Sequence, residues 1–424
     1  MTNPARLTAW RPLSACLLAG IALIVCQTTD VRADDKSKPA AGDWPQFLGP
    51  NRNGISAEKG LLKAWRADGG VGMSGLSISG GRLVTLAHRD GRQAVLVLDA
   101  LTGKEIRTVP FAPVYRNSMG AGPRATPAIV GDTAYCFSGE GILLAVDFKS
   151  GKVNWQHDVL KELGGKPVDY GMAASPLVVG KLVILTAGAR NATVVAYDRQ
   201  SGKLAWKAGS DRAGYSSPVL LKVGGKPQIV AYTGESVLGL SPETGRQLWR
   251  HPYETDYDCN IAAPLAVDGK VFISSGENHG CSLLSLTPKK NVFAVSEIWS
   301  SHGPRSVMRN EWQTLILLNG YLYGMDNVGG AGPVTHFTCV KAATGEKVWE
   351  EKRFGKGNLI AADGKLFMST IKGELVIARA SPAKYIEISR MPVTGATRQA
   401  PSLAGGLLYL RNDKQIVCID VRAK

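Results

Sequence analysis

No stretch of this 424-residue chain approaches the ~20 consecutive apolar residues that a membrane-spanning helix needs, which excludes a multi-pass membrane protein. Cysteine is sparse, with seven residues, no CxxC pair, no adjacent Cys-Cys and no CxxCH, so neither a disulfide-built scaffold nor covalent haem attachment is encoded. The signatures HExxH, GxSxG and GxxxxGK[ST] are missing, and the six histidines are scattered without metal-ligand spacing. Acidic residues are the minority charge: 50 Lys and Arg face 35 Asp and Glu, for a formal +15. That excess does not point to nucleic acid, because the cations are spread through turns rather than gathered in a recognised module.

Glycine, by contrast, is abundant. The chain has 49, well above the roughly 7% of an average protein, with no collagen period, while a hydrophobic fraction of 44% excludes a disordered chain. Many tight turns between short strands account for both. The run Gly70-Val71-Gly72-Met73-Ser74-Gly75 matches GxGxxG, yet it neither follows a strand pattern nor opens a helix, so it reads as a flexible lead into the first repeat rather than a dinucleotide site.

Residues 1–33 read as a signal peptide. Arg6 and Arg11 supply a basic start, Leu13 to Cys26 an apolar stretch too short to span a bilayer, and Val31-Arg32-Ala33 a cleavage site near Ala33. A lipobox is not formed, since Val25 precedes Cys26 where a small residue is wanted. The expected mature protein is periplasmic or secreted, with a flexible linker at 34–43 and one domain over 44–424. It retains a charge of +13 and five cysteines, Cys136, Cys259, Cys281, Cys339 and Cys418, which read as buried free thiols with a Cys259–Cys281 bridge as the alternative.

A repeat organises everything after residue 60. An alternating apolar strand is followed by Asp-x-x-Ser/Thr-Gly-Lys and then an aromatic, as at Asp147, Ser150-Gly151-Lys152 and Trp155, or at Asp198, Ser201-Gly202-Lys203 and Trp206. Asp99 with Thr102-Gly103-Lys104 is another copy; Ser241 with Trp249 and Lys341 with Trp349 keep the frame. Trp155, Trp206, Trp249, Trp299 and Trp349 lie 51, 43, 50 and 50 residues apart. Upstream of each turn stands a small-small-Pro signature, at Pro127, Pro176, Pro218, Pro264 and Pro401, with weaker versions near Ser74, Gln313 and Gly357. These are eight units of about 45 residues, enough for four short strands each.

The Ser/Thr-Gly supplies the positive φ of a tight turn, the Asp hydrogen-bonds the turn's backbone, and the Trp seals one sheet against its neighbour. A sheet with two apolar faces buries both only by stacking in a ring, so the pattern predicts an all-β, eight-bladed β-propeller. The residues two before the Pro position are mostly tiny, as strands crowded around an axis require. The last unit stops after Ile416–Val421 in its third strand, so an N-terminal segment, with Leu61-Leu62-Lys63-Ala64-Trp65 as the candidate, should close the ring.

These phrases resemble the pyrroloquinoline-quinone (PQQ) repeat of eight-bladed quinoprotein propellers over essentially all of 44–423. Asp43-Trp44-Pro45-Gln46-Phe47-Leu48-Gly49-Pro50-Asn51-Arg52-Asn53-Gly54 and Gly122-Pro123-Arg124-Ala125-Thr126-Pro127 resemble more closely the exported bacterial PQQ-like propellers of planctomycete type, related to the BamB-type outer-membrane-assembly propellers. The resemblance implies two kinds of activity. Quinoprotein alcohol dehydrogenases hold PQQ between a Trp and a disulfide of adjacent cysteines with calcium nearby, and this chain has no adjacent cysteines. The expectation is therefore a binding or assembly scaffold of the cell envelope without intact catalytic machinery and without PQQ or calcium, working as a monomer on an envelope protein, a peptide or an anionic polysaccharide. The alternatives are a PQQ-dependent alcohol or sugar dehydrogenase and a carbohydrate-binding propeller.

Residues three before the Pro position occupy equivalent places if the repeats are in register. They are Met73, Arg124, Ala173, Tyr215, Ile261, Trp312, Lys356 and Arg398. Arg124, Lys356 and Arg398 would then converge with Tyr215 and Trp312 at one mouth of the central channel, where cations beside aromatic faces suit an anionic or sugar-like ligand or a peptide carboxylate. A second group, Asp256, Asp258 and Asn260 with Glu277, Asn278 and His279, reads as solvated loops, with calcium binding as the alternative.

Overall fold

A computed structural model of the chain describes residues 42–56, 58, 64–330 and 334–422. Residues 1–41, on which the expected signal peptide, its cleavage site and most of the expected linker fall, lie outside the described residues. The rest forms eight antiparallel sheets in ring order, an eight-bladed β-propeller. Blade 1 comprises Ser77–Ser79, Arg82–Arg89, Arg92–Asp99 and Glu105–Pro113. Blades 2 to 7 follow the same up-and-down order over 128–158, 177–208, 219–252, 265–302, 316–351 and 357–392. The one α-helix among the described residues is the single turn Val159–Leu163.

Period-two alternation explains why the sheets must stack. In blade 2, Tyr135, Phe137 and Leu143 pack into a cluster with Val183 and Val195 of blade 3. The intervening Ala134, Cys136 and Leu144 face Val84 and Val95 of blade 1. Each sheet is thus apolar on both faces, and the core is a ring of clusters between neighbouring blades. Cys136, Cys281, Cys339 and Cys418 are buried among them, and with half-buried Cys259 all five are free thiols.

The turn glycine and the tryptophan prove to be two halves of one contact between blades. The indole N–H of Trp206 in blade 3 donates to Pro242 O of blade 4 at 3.1 Å, and those of Trp155, Trp299 and Trp349 reach the next blade's turn in the same way at 3.0 Å. Gly245 lies flat beneath the Trp206 ring; at φ +68° a Cβ there would stand 2.4 Å from Cε3. Blade 5 lacks that turn because its outer strands, Gly280–Lys289 and Val292–His302, form a long tight hairpin. Trp249 of blade 4 accordingly donates to Gln228 Oε1 within its own sheet at 2.7 Å.

Blade 8 is built from Ser402–Ala404, Leu407–Arg411 and Gln415–Asp420, and its outer strand is Ala64–Asp68, paired from Ala64 opposite Ile419 to Asp68 opposite Gln415. The closing strand is N-terminal as expected but runs three residues further than the segment read from sequence; residues 61–63 lie outside the described part. Arg411, 1% exposed, locks the seam, donating to Ser74 O, Thr85 Oγ1 and Leu86 O of blade 1 and to the carbonyls of Gly69 and Gly70. The GxGxxG stretch is thus held in the closure of the ring.

Candidate functional site

The inner strands run parallel to the central channel, so equivalent positions in the repeat lie at equivalent depths. Just below the mouth, the hydroxyls one residue before the Pro position form a belt between blades. Thr126 Oγ1 accepts from Gly75 N, Ser175 Oγ from Thr126 N, Ser217 Oγ from Ser175 N, and Thr314 Oγ1 from Ala263 N, at 2.9 to 3.2 Å. These bonds satisfy backbone donors that the crowded inner ends of the sheets would otherwise bury unpaired.

The far end of the channel is sealed by residues 42–56, whose role the sequence did not disclose. Trp44 exchanges both backbone bonds with Ile78 of blade 1, and Ile129 N of blade 2 donates to Pro45 O. Arg52, 5% exposed, donates to Ser175 O and Pro176 O of blade 3, and Ile55–Ser56 adds a parallel strand to Gly357–Ala362 of blade 7. The segment thereby crosses the ring. Gly49, at φ +80°, allows the crossing, because a Cβ there would meet the Trp44 ring at 2.8 Å. The contacts on blades 1, 2 and 7 fall two residues after the Pro position, five residues below the mouth, or roughly 16 Å at the rise of a strand.

The channel is therefore a blind cup of about 230 Å³. Trp44, Phe47 and Leu48 form its floor, and Met73, Met119, Arg124, Tyr215, Trp312 and Arg398 its rim. Four of the five residues expected at the mouth are there together. Lys356, the fifth, lines an adjoining cavity of about 420 Å³ that shares Met119, Tyr170, Ile261, Trp312 and Arg398 with the cup.

The three cations differ in how they are used. Lys356 Nζ stands 2.5 Å from Glu311 Oε2 and 4.3 Å from the centre of the Trp312 ring, so its charge is already neutralised. Arg124 packs over Tyr115 at 4.6 Å and donates to the carbonyls of Gly122 and Gly120 at 2.6 and 2.8 Å. Arg398 lies over Trp312 at 4.6 Å and donates to Met119 O at 2.9 Å. Neither arginine has a carboxylate partner among the described residues. Burial is the main cause that lowers the Arg124 pKa, Tyr115, Glu140 and Tyr215 oppose it, and the like charge of Arg398 lowers it further. Tyr215, 7% exposed, accepts from Tyr170 N at 3.3 Å, and burial pushes its phenol well above the ordinary value.

The oxygen-rich group of blade 5 is engaged in structure. Arg212 forks onto both oxygens of Asp258 at 3.0 Å, while Asn260, fully buried, holds Thr233 O and Tyr253 O and accepts from Ser275 Oγ at 2.6 Å. His279 turns toward Asp256, with Nε2 3.7 Å from Oδ2. Glu277 lines the adjoining cavity, its pKa raised first by burial and then by Glu311.

Comparison with known proteins agrees with this architecture. The quinohemoprotein alcohol dehydrogenase ADH IIB of Pseudomonas putida is 37% identical over 120 residues, 27% of this chain and 17% of that protein. The quinoprotein alcohol dehydrogenase PedH of Pseudomonas putida is 29% identical over 161 residues, 35% of this chain and 26% of its own. The matches thus span about a quarter or less of those relatives. Among solved structures, the quinohemoprotein alcohol dehydrogenase of Comamonas testosteroni superposes with a TM-score of 0.66 at 14% identity, covering 90% of this chain and 81% of that one. BamB of Moraxella catarrhalis gives 0.58 at 16% identity over 85% and 99%; at such identities both show the fold alone. The family model for the outer membrane protein assembly factor BamB matches residues 91–351, more than half of the chain. A ring of PQQ-type repeats with that match identifies the chain as a member of the BamB family of β-propellers.

Proposed function

We propose that the protein is an exported, monomeric propeller that serves as a binding or assembly scaffold in the cell envelope, taking an anionic group of its partner into the channel cup. The carrying observation is the pair Arg124 and Arg398, two cations near one mouth with no carboxylate between them. Arg124 is half-buried and feels the like charge of exposed Arg398, so an anion held between the two relieves the desolvation of the first and their mutual repulsion. Membership of the BamB family and the signal-like residues 1–33 support the envelope setting, in the periplasm or outside the cell.

The second reading, a PQQ-dependent alcohol or sugar dehydrogenase, draws on the partial likeness to the two Pseudomonas enzymes. The residues present do not reproduce the sandwich that the quinone would need. Lys356 and Arg398 already lie over the Trp312 ring, and Cys259 is the one cysteine lining either cavity, so a disulfide of neighbouring cysteines has no counterpart. Titration of the purified protein with PQQ and calcium, followed by dye-linked oxidation of alcohols and sugars, separates the readings. A scaffold takes up no stoichiometric quinone and oxidises nothing; stoichiometric uptake with turnover would establish the dehydrogenase.

A further inference from the structure

The cup and its side cavity differ in chemistry, and the difference narrows the ligand class on the basis of the anion-binding reading above. The floor is built from apolar side chains, Trp44, Phe47 and Leu48 with Leu76 and Leu359 beside them. An apolar cavity of about 150 Å³ holds benzene, so the 230 Å³ here takes one aromatic or large aliphatic side chain. Above the floor come the guanidiniums of Arg124 and Arg398. The adjoining cavity shares Trp312 and Arg398 with the cup and adds the carboxylate of Glu277 beside the Lys356–Glu311 ion pair. A ligand matching this sequence is apolar at its tip, anionic just behind the tip, and neutral or basic further on.

We propose that the cup receives the carboxyl terminus of a polypeptide whose last residue is apolar. The terminal side chain rests on the Trp44–Phe47–Leu48 floor, and the carboxylate lies between Arg124 and Arg398. The preceding residues leave through the side cavity, with a basic side chain opposite Glu277. Charge-assisted bonds from the two arginines fix the end of the chain, and the blind floor makes the ligand a terminus rather than a threaded segment.

The test is fluorescence anisotropy with the probe peptide Gly-Lys-Gly-Phe, labelled at its amino end, as the free acid and as the amide. The free acid should bind and the amide should be at least about tenfold weaker. Arg398→Gln, at an exposed position, should shrink that difference severalfold, and Glu277→Gln should weaken the lysine peptide more than a Gly-Gly-Gly-Phe control. Equal binding of acid and amide overturns the proposal. Binding of benzoate without binding of either peptide also overturns it while leaving the anion-binding cup intact; if benzoate fails as well, both readings fall.

Discussion

Removing the Arg411 side chain should cost more stability than any surface change of equal size. Arg411→Met deletes donors to Ser74 O, Thr85 Oγ1, Leu86 O, Gly69 O and Gly70 O at 2.7 to 3.2 Å, all at the seam between the last blade and the first. A buried acceptor left unpaired costs ~1–3 kcal/mol. Five such losses do not add in full, because water enters part of the gap and the burial of a charge is itself relieved, an effect visible in the Arg411 pKa, drawn down to about 10 by burial. A net loss of about 3–5 kcal/mol follows. For the about 370 described residues, an unfolding entropy of ~2.1 cal/mol/K per residue makes each degree worth about 0.8 kcal/mol, so Tm should fall by about 5 °C. Differential scanning calorimetry of wild type, Arg411→Met and Arg411→Lys supplies the assay. A Tm for Arg411→Met within one degree of wild type would refute the view that this residue latches the ring.

Two further outcomes follow from the blade contacts. Gly245→Ala puts a Cβ at a positive φ and 2.4 Å from the Trp206 ring, so it should lose about 3–5 kcal/mol in urea unfolding, against about 1–2 kcal/mol for Gly269→Ala, where the positive φ is strained but the space is open. Asp198 has its carboxyl pKa lowered chiefly by the Ser201 backbone N–H, so its contribution is present at neutral pH and disappears as pH falls through the folded-state value. The Tm difference between wild type and Asp198→Asn should therefore shrink from pH 7 to pH 3, and a difference constant over that range would contradict the bonding.

The blades were legible because their rules are local and periodic. Spacing from Trp155 to Trp349 set the unit, and the position three before Pro put Arg124, Tyr215, Trp312 and Arg398 on one rim. Lys356 satisfies the same register yet faces Glu311, a residue just before Trp312 whose reach across to the next blade no repeat predicts. The plug was missed for the opposite reason. Trp44 to Gly54 occurs once, outside the repeat, and its fold depends on the ring it crosses. The signal for it was composition: Trp44, Phe47 and Leu48 among prolines and glycines are too apolar for a tether. Arg411 was hidden as one more cation in a strand end, because its burial arises only when the first and last blades meet.

The central claim is that one open mouth of a closed propeller holds a prepared anion site, and thermal unfolding under a benzoate titration tests it most directly. A ligand bound to the native state alone adds about 2.7 kcal/mol at one hundred times its Kd, which here corresponds to a rise of about 3 °C. Wild type should show that saturating rise, and Arg124→Met/Arg398→Met should not. An identical response of the two proteins, or none in either, would contradict the account.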